Sequence, residues 1–302
     1  MYTVKHTNDS NKKLNFIEVK NAQKTIYAKI YLNLGGSLQE LVLNNHAVIK
    51  DLCPLTYDTT YASAILFPFA NRIKDGSYEF EGETYQFEIN ENKLNNALHG
   101  LVYNQTFDVI NKEVTETSAS VKLVYHEKNQ SNGFPFTYSI YLEYVFTKDT
   151  LDLNVSVKNT DSKTFPFTLG WHPYFLSSDL YTSSVSFDSK EKLKLDQRNI
   201  TEKIIANEQV EGFKIKDQFL DDCYILDTHT TTFKTPFYAF ELKSSEPESF
   251  LQLYTPPLAN TIAIEPTTGV SDSFNNGIGL KTLQPDDTYN INWNLKIKII
   301  TP

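Results

Sequence analysis

The chain has 302 residues and a formal net charge of −9, and this acidity argues against nucleic acid as a partner because phosphate binding requires a basic face. No apolar run approaches the roughly 20 residues of a membrane span, and the polar start of the chain lacks the apolar core of a signal peptide. Two cysteines, Cys53 and Cys223, are too few for a disulfide framework, so we expect a cytoplasmic protein of a reducing compartment.

Alternation of apolar and polar residues with a period of two recurs along the chain and predicts β-strands. In chain order, the candidates are residues 15–19, 26–34, 78–89, 120–125, 136–146, 151–157, 233–242, 250–254, 261–264 and 289–299. Residues 78–89 contain a turn near Gly82, and a short turn separates 136–146 from 151–157, so both regions are predicted to be hairpins. No window of eleven residues shows clear helical periodicity.

The order of these candidates predicts the fold class. Strands and helices do not alternate, no repeat has a fixed period, and no low-complexity linker divides the chain. Strands that follow one another through turns and have one apolar face build antiparallel sheets that pack together. We therefore predict an all-β protein with few short helices, formed by one large antiparallel β-sandwich domain over residues 1–302.

Standard catalytic and cofactor signatures are missing from the sequence. It contains no phosphate loop, no dinucleotide fingerprint, no nucleophile elbow and no His-Glu-x-x-His motif. A metal site could only be assembled from scattered His, Asp and Glu side chains, whose spacing matches no known ligand pattern. The sequence therefore predicts neither a metal nor a cofactor.

Two polar residues stand directly before prolines at the predicted ends of apolar strands. His172 lies among aromatic residues before Pro173, and Glu265 follows the candidate strand 261–264 and precedes Pro266. Proline cannot donate to a strand ladder, so a strand is expected to end at each position. A core histidine bonded to backbone and a solvated glutamate at a strand end are the plain alternatives to catalytic roles.

Three further segments combine polar side chains with predicted strand ends or loops. Asn71 and Arg72 close an apolar run, where an arginine can simply cap the surface. His99 lies in a predicted loop, where histidines are ordinarily exposed. Asp221 and Asp222 begin a predicted strand, and paired acids at such a position are typical of a turn. Each segment alone fits a structural role, but their order along the chain is informative.

In that order, the segments resemble the aldose 1-epimerase (galactose mutarotase) family from about residue 25 to residue 300. The matching features are Asn71-Arg72-Ile73 followed by Gly76 and an aromatic hairpin, Leu98-His99-Gly100, His172-Pro173-Tyr174-Phe175, Asp221-Asp222-Cys223-Tyr224 and Glu265-Pro266. The resemblance implies the family's fold, a large antiparallel supersandwich, which agrees with the strand pattern.

The resemblance also implies a reaction, the interconversion of α and β anomers of a free hexose, with Glu265 as general base and His172 as general acid. The base removes the proton of the C1 hydroxyl while the acid protonates the ring oxygen, and the ring opens. Rotation about the C1–C2 bond and reclosure give the other anomer. Each group must lie within hydrogen-bond reach and have a suitable pKa. Positioning and proton transfer are sufficient, so the reaction needs no metal or redox cofactor.

The remaining motif residues are implied to bind the sugar. Arg72 and His99 would donate hydrogen bonds that orient it, and Asn71 would contribute to the same binding site. Asp221 would accept hydrogen bonds from sugar hydroxyls. Because Asp222 follows immediately, a shift by one residue would give this role to the second carboxylate.

Two other functions fit part of the pattern. A lectin-like β-sandwich that binds carbohydrate without catalysis would explain the fold, the aromatic residues and the acidity, but not Glu265 and His172 before prolines. A hexose-6-phosphate mutarotase would need basic side chains around the phosphate dianion, and Arg72 and Arg198 are the only arginines of the chain. We therefore expect an unphosphorylated aldose as the partner, no nucleic acid or membrane partner, and a monomer or homodimer.

Overall fold

The computed structural model describes residues 1–9, 14–209 and 211–300, in which 28 strands and two short helices form the regular structure. The first strands are β1 (Tyr2–Asp9), β2 (Leu14–Asn21), β3 (Tyr27–Tyr31), β4 (Ser37–Leu43), β5 (His46–Ile49), β6 (Ile65–Leu66), β7 (Arg72–Lys74), β8 (Ser77–Phe80), β9 (Glu83–Gln86), β10 (Asn96–Leu98), β11 (Asp108–Val114), β12 (Ala119–Glu127), β13 (Tyr138–Phe146) and β14 (Thr150–Asn159). The remaining strands are β15 (Phe165–Phe167), β16 (Gly170–Trp171), β17 (Tyr174–Leu176), β18 (Ser184–Ser186), β19 (Glu191–Leu195), β20 (Thr201–Ala206), β21 (Phe213–Lys214), β22 (Asp221–Ile225), β23 (Thr230–Lys234), β24 (Tyr238–Ser244), β25 (Phe250–Tyr254), β26 (Thr261–Thr267), β27 (Lys281–Leu283) and β28 (Thr288–Ile299). The helices are α1 (Tyr57–Thr60) and α2 (Ser273–Asn276), and neither has the length and apolarity that a membrane span requires.

Three large sheets hold most of the strands. Their strand orders are β1-β2-β3-β4-β5, β11-β12-β13-β14-β28-β24-β23-β18-β21 and β20-β19-β22-β25-β26-β16-β6, and β17 also pairs with β26. Neighbouring strands in these sheets run antiparallel. The three sheets contribute side chains to one apolar core, for example Ile17, Leu142 and Leu253. The prediction of an all-β antiparallel sandwich with few short helices is therefore confirmed.

The predicted central hairpin is present as β13 and β14. The two strands pair antiparallel from Tyr138 opposite Asn159 to Phe146 opposite Leu151. Alternate residues along both strands are buried, and Leu142 is completely shielded from solvent. The predicted hairpin at 78–89 is also confirmed, with a turn at Gly82 between β8 and β9. Strict period-two alternation was thus a sound guide wherever one face of a strand is buried.

One predicted strand, over residues 233–242, is wrong because a turn divides it into β23 and β24. Pro236 lies in this turn, and proline has no N–H group to donate to a ladder. The backbone N–H of Thr235 instead donates to the carbonyl oxygen of Tyr238 over 2.8 Å, and its hydroxyl donates to the same oxygen. Because aromatic and β-branched residues flank the turn on both sides, the sequence pattern of this tight hairpin resembles that of one continuous strand.

The two strands expected to end at prolines behave differently. β16 ends before His172, as predicted, but β26 continues through Glu265 and Pro266 to Thr267. Pro266 lies opposite Leu251 in β25, whereas neither β16 nor β17 has a residue paired with it on the other side. The missing N–H of the proline therefore interrupts no ladder. Glu265 lies inside a buried strand, so its interpretation as a solvated strand end is wrong.

Candidate active site

All six residues predicted for the site line one cavity of about 330 Å³. They come from separate parts of the chain: Asn71, Arg72, His99, His172, Asp221 and Glu265. At the cavity floor, where β26 passes the interruption between β16 and β17, the side chains of His172 and Glu265 are almost completely buried. Antiparallel pairing therefore brings together residues that lie up to two hundred positions apart in sequence.

His172 and Glu265 form a close pair at the floor of the cavity. The distance between His172 Nε2 and Glu265 Oε1 is 3.4 Å, and the side chains are only 6% and 4% exposed. The backbone N–H of His172 donates to the carbonyl oxygen of Ala64 over 3.0 Å. Its ring stacks on Tyr174, and the edge-on ring of His99 lies 5.0 Å away between centroids. Backbone and aromatic contacts together fix the imidazole against the carboxyl group.

His99 enters the cavity from a backbone conformation that is uncommon for residues other than glycine. Both His99 and Asn71 lie in the left-handed region, with φ values of 63° and 61°, and the backbone N–H of His99 donates to the carbonyl oxygen of Asn71. Such residues persist where surrounding contacts hold them, often at functional sites. A Cβ atom on the following Gly100 would lie 2.2 Å from the carbonyl oxygen of Phe67, so only glycine fits. The expectation of an exposed loop histidine is wrong, because His99 is buried.

Arg72 is held by a carboxylate that the sequence analysis did not identify. Its Nε donates to Glu91 Oε2 over 2.9 Å, and its Nη2 donates to Glu91 Oε1 over 2.9 Å. Its Nη1 donates to Asn71 Oδ1 over 3.1 Å. Bidentate pairing of this kind fixes the plane of the guanidinium. Arg72 is therefore a wall of the cavity with a defined orientation rather than a surface cap.

Asp221, and not Asp222, lies in the cavity. Gln252 Nε2 donates to Asp221 Oδ1 over 2.8 Å, and Asn199 Nδ2 donates to Asp221 Oδ2 over 3.3 Å. Successive side chains of β22 point to opposite faces, so Asp222 projects away from the cavity and pairs with Lys192 at 3.2 Å. The geometry assigns the cavity position to the first of the two adjacent carboxylates.

The chain's second arginine, Arg198, does not line the cavity but bonds to residues that hold its lining groups. Arg198 Nε donates to the carbonyl oxygen of Leu94 over 2.8 Å, and its Nη2 donates to Asn96 Oδ1 over 3.1 Å. Asn96 Nδ2 in turn donates to Glu91 Oε2, the carboxylate that holds the cavity arginine. The adjacent residue, Asn199, bonds the cavity aspartate. The turn between β19 and β20 thus positions both charged walls of the site.

Among the residues that the sequence analysis missed, Gln252 left a readable signal. It is an amide in the otherwise apolar strand β25, and it lies directly opposite Glu265 in the ladder with β26. A polar residue on the buried face of a strand needs a partner, which identifies it as a member of a polar site. Glu91 and Asn199 lie in loops without periodicity, so no pattern identified them.

Burial sets the protonation of the site. It raises the pKa of the Glu265 carboxyl well above its usual value, the Asp221 carboxylate adds to the rise, and Arg72 opposes it. Burial lowers the pKa of His172 to about 4, and the Arg72 charge adds to the fall. The pKa of His99 is also lowered well below its usual value, mainly by burial. Burial therefore favours the neutral forms of both groups at the cavity floor, the carboxylic acid of Glu265 and the neutral imidazole of His172.

Two buried nitrogen atoms of the site have no protein partner within the described ranges. His99 Nδ1 and His172 Nδ1 are both buried and accept or donate no hydrogen bond to protein atoms. Buried polar atoms are normally paired, so each of these nitrogens is an exception that a functional site can account for. In residues 1–9, 14–209 and 211–300, no three His, Cys, Asp or Glu side chains are grouped to hold a metal ion.

Known proteins resemble this chain over most of its length. The galactose mutarotase of Bos taurus is 26% identical over 195 residues, which are 63% of this chain and 54% of that protein. The uncharacterized Escherichia coli protein YihR is 22% identical over 293 residues, which are 89% of this chain and 90% of YihR.

Solved structures share the fold. A galactose mutarotase-like protein from Clostridium acetobutylicum superimposes with a TM-score of 0.87 at 21% identity, covering 99% of each chain. Galactose 1-epimerase from Lactobacillus acidophilus superimposes with a TM-score of 0.81 at 16% identity, also covering 99% of each chain. The family model for aldose 1-epimerase matches residues 16–296. Because this match spans nearly the whole chain, the protein belongs to the aldose 1-epimerase family.

Proposed function

We propose that the protein is a mutarotase that interconverts the α and β anomers of a free hexose, with Glu265 as general base and His172 as general acid. The observation that carries this proposal is the buried pair at the cavity floor, with Nε2 and Oε1 only 3.4 Å apart. The two oxygens that exchange protons in mutarotation, O1 and O5, are both bonded to C1. Groups this close together can each reach one of them, as proton transfer requires.

The proton count of the pair supports the proposed reaction. In ring opening, the Glu265 carboxylate takes the O1 proton, the C1–O5 bond breaks, C1=O1 forms, and the His172 imidazolium gives its proton to O5. The pair then consists of a neutral carboxylic acid and a neutral imidazole. Burial favours this same neutral form, because it raises the pKa of Glu265 and lowers the pKa of His172. Ring closure reverses the transfers, so each turnover returns the pair to its starting form without net loss of a proton.

The bound sugar and the residues that line the cavity must stabilise the charged form of the pair, the Glu265 carboxylate and the His172 imidazolium. Arg72 lowers the pKa of Glu265, and hydrogen bonds from sugar hydroxyls would act in the same direction. We assign sugar binding to Arg72, Asn71, His99 and Asp221, as the family resemblance implies. Asp221 has bonds from two amide groups and keeps its carboxylate at the cavity wall, where sugar hydroxyls can donate to it.

The charges of the cavity favour an unphosphorylated substrate. Among the described residues that line it, Arg72 is the one permanent cation, and Glu91 already neutralises its guanidinium. The carboxyl groups of Glu91, Asp221 and Glu265 lie around the same space. A phosphate dianion would meet these groups without a free cation to pair with. This argues against the hexose-6-phosphate alternative.

The experiment that tests the proposal is proton NMR of anomer exchange across a panel of free aldoses and their 6-phosphates, with calorimetric binding to the same sugars. Accelerated exchange of at least one free hexose, and weaker acceleration for its phosphate, is the expected result. Sugar binding without acceleration would instead establish the carbohydrate-binding alternative. A preference for the phosphate would contradict the charge argument.

The cytoplasmic location and the monomeric or dimeric state stay predictions of the sequence.

A further inference from the structure

Tyr174 lines the cavity beside His172 and belongs to the same sequence motif. The two residues flank Pro173, whose carbonyl oxygen accepts a hydrogen bond from the backbone N–H of Ile264 over 3.3 Å. Strand β17 begins at Tyr174 and pairs with β26. The segment that carries both rings is therefore fixed against the strand that carries Glu265.

Two aromatic rings flank His172, and they differ in orientation. The Tyr174 ring lies 5.1 Å from the imidazole, between centroids, at an interplanar angle of 25°, so these two rings are stacked. The His99 ring lies 5.0 Å away and is nearly perpendicular, at 82°. An aromatic ring carries negative charge on its face, and a cation within about 6 Å of its centroid is attracted to that face. Tyr174 is therefore placed to attract the imidazolium form of His172.

Apolar packing holds Tyr174 in this position. Its side chain is buried in a cluster with Leu52, Ala62 and Ala263. Burial raises the pKa of its phenol, and the Glu265 charge adds to the rise. The ring therefore stays neutral at physiological pH. Because the site is desolvated, the attraction of the ring face for a cation is stronger than it would be at the protein surface.

The imidazolium form of His172 needs stabilisation, because it must exist when the sugar ring opens. Burial disfavours it, and the Arg72 charge repels it. Glu265 Oε1, which lies 3.4 Å from His172 Nε2, attracts it only until the carboxylate accepts the O1 proton. His99 is neutral, because burial lowers its pKa well below the usual value. The Tyr174 ring does not titrate in this range, so its attraction for the cation persists throughout proton transfer.

We propose that Tyr174 is a positioning residue for the general acid, which holds the His172 ring beside Glu265 and stabilises its imidazolium form through the face of the phenol ring. This role rests on the proposed function, in which His172 is the acid. Packing alone is the plain alternative, under which any apolar side chain of similar size would serve. The two roles differ when the electron density of the ring is changed and its size is kept.

Graded fluorination of the ring makes this change. Tyr174→Phe is compared with variants of the full chain that carry mono-, di- and trifluorinated phenylalanine at the same position, because each fluorine withdraws electron density from the ring face with little change in size. Tyr78 is the matched control position, since its ring is 2% exposed, stacks on Phe87 and does not line the cavity. The measurements are kcat and kcat/KM for anomer exchange against pH, and an NMR titration of the His172 ring.

Tyr174→Phe should keep kcat near the parental value, because the ring face remains. The value of kcat should then fall stepwise with each fluorine, by about tenfold in the trifluorinated variant, while KM changes little. The pKa of His172, about 4 in the parent, should fall in the same steps, and the acid limb of kcat/KM should move to lower pH with it. The same series at Tyr78 should move neither quantity.

Unchanged kcat together with an unmoved pKa of His172 across the series would reduce Tyr174 to packing. A pKa that rises toward the ordinary value of histidine would show that the substitutions only admit water, and would also overturn the role. A loss in Tyr174→Phe as large as in the trifluorinated variant would assign the effect to the hydroxyl instead. If the parent exchanges no sugar, the proposed function falls, and the titration alone then decides whether the ring stabilises the imidazolium.

Discussion

The central hairpin of β13 and β14 and the cavity floor formed by β16, β25 and β26 are both buried, but they bury opposite kinds of side chain. In the hairpin, the inward positions are apolar, as at Leu142 and Leu153. At the floor, Gln252, Glu265 and His172 are equally inaccessible to solvent. The hairpin gains stability from burial, whereas burial of the floor pair disfavours its charged forms.

We infer from this difference that stability and the proposed activity depend on separate regions of one fold. The apolar hairpin can hold the sheets together without taking part in chemistry. At the floor, burial of Glu265 and His172 is unfavourable to their charged forms. It therefore raises the pKa of Glu265 and lowers the pKa of His172. Substitutions in the two regions should therefore have opposite signatures: loss of stability in one, loss of rate in the other.

The largest effect should come from His172→Asn at the floor. Asparagine can still donate a hydrogen bond to a sugar, but it cannot deliver a proton near neutral pH. We expect the exchange rate measured by NMR to fall by about a hundredfold to ten-thousandfold, while calorimetric affinity changes little. His229→Asn replaces an exposed histidine that does not line the cavity and serves as the control. Parental exchange by the His172 variant would make that residue structural and leave His99 as the candidate acid.

The next effect should come from Leu142→Ala in the hairpin. The side chain is fully buried, so its truncation should lower the free energy of unfolding by about 2–5 kcal/mol, as measured by denaturant unfolding. Exchange per folded molecule should stay at the parental level. Val145→Ala, on the less buried face of the same strand, should cost much less. A folded Leu142 variant with strongly reduced kcat would show that the core and the site are not separable.

A smaller effect is expected behind the floor, at Arg198. Its removal frees the loop that holds Asn96 and, through it, Glu91 and Arg72. Arg198→Ala should raise KM by about tenfold with a much smaller change in kcat, and Arg198→Lys should recover part of the loss. Lys194→Ala breaks an exposed pair with Glu202 on the same hairpin and is the control for stability alone. Equal KM values in both alanine variants would limit Arg198 to a structural role.

The smallest expected effect is a shift in pH dependence. Burial lowers the pKa of His172 and raises that of Glu265, so kcat/KM should fall below about pH 4, where His172 becomes protonated beside a neutral Glu265, and again on the alkaline limb, as pH rises through the raised pKa of Glu265. Asp221 raises the pKa of Glu265, so Asp221→Asn should move the alkaline limb toward lower pH. Asp222→Asn, on the opposite face of β22, should not. Movement of the limb to higher pH would contradict the assigned electrostatics.

Much of the fold could be predicted because it depends on local alternation. Strands such as β13, β14 and β28 bury one face, and a period of two is visible in any short window. The turn at Pro236 was missed because β-forming residues flank it on both sides. Glu265 was placed at a strand end because the partner strand that makes Pro266 harmless is not visible in sequence.

Only the site residues that belong to the family's sequence motifs could be predicted. The six residues implied by the family resemblance line one cavity, although nothing local in the sequence shows that they meet. Glu91, Asn199 and Arg198 act through hydrogen bonds between distant loops. Contacts across the sheet are set by topology and register, which no short window contains.

The most direct test of the account is Glu265→Gln, measured both for anomer exchange and for thermal stability. Because the pKa of Glu265 is raised in the folded state, the folded protein holds a proton that the unfolded chain releases above the ordinary value of 4.5, and stability falls as pH rises. The neutral amide removes this penalty. We predict loss of catalysed exchange by at least about a hundredfold, with a Tm at pH 7 equal to or above that of the parent. A folded variant that exchanges anomers at the parental rate would contradict the central claim.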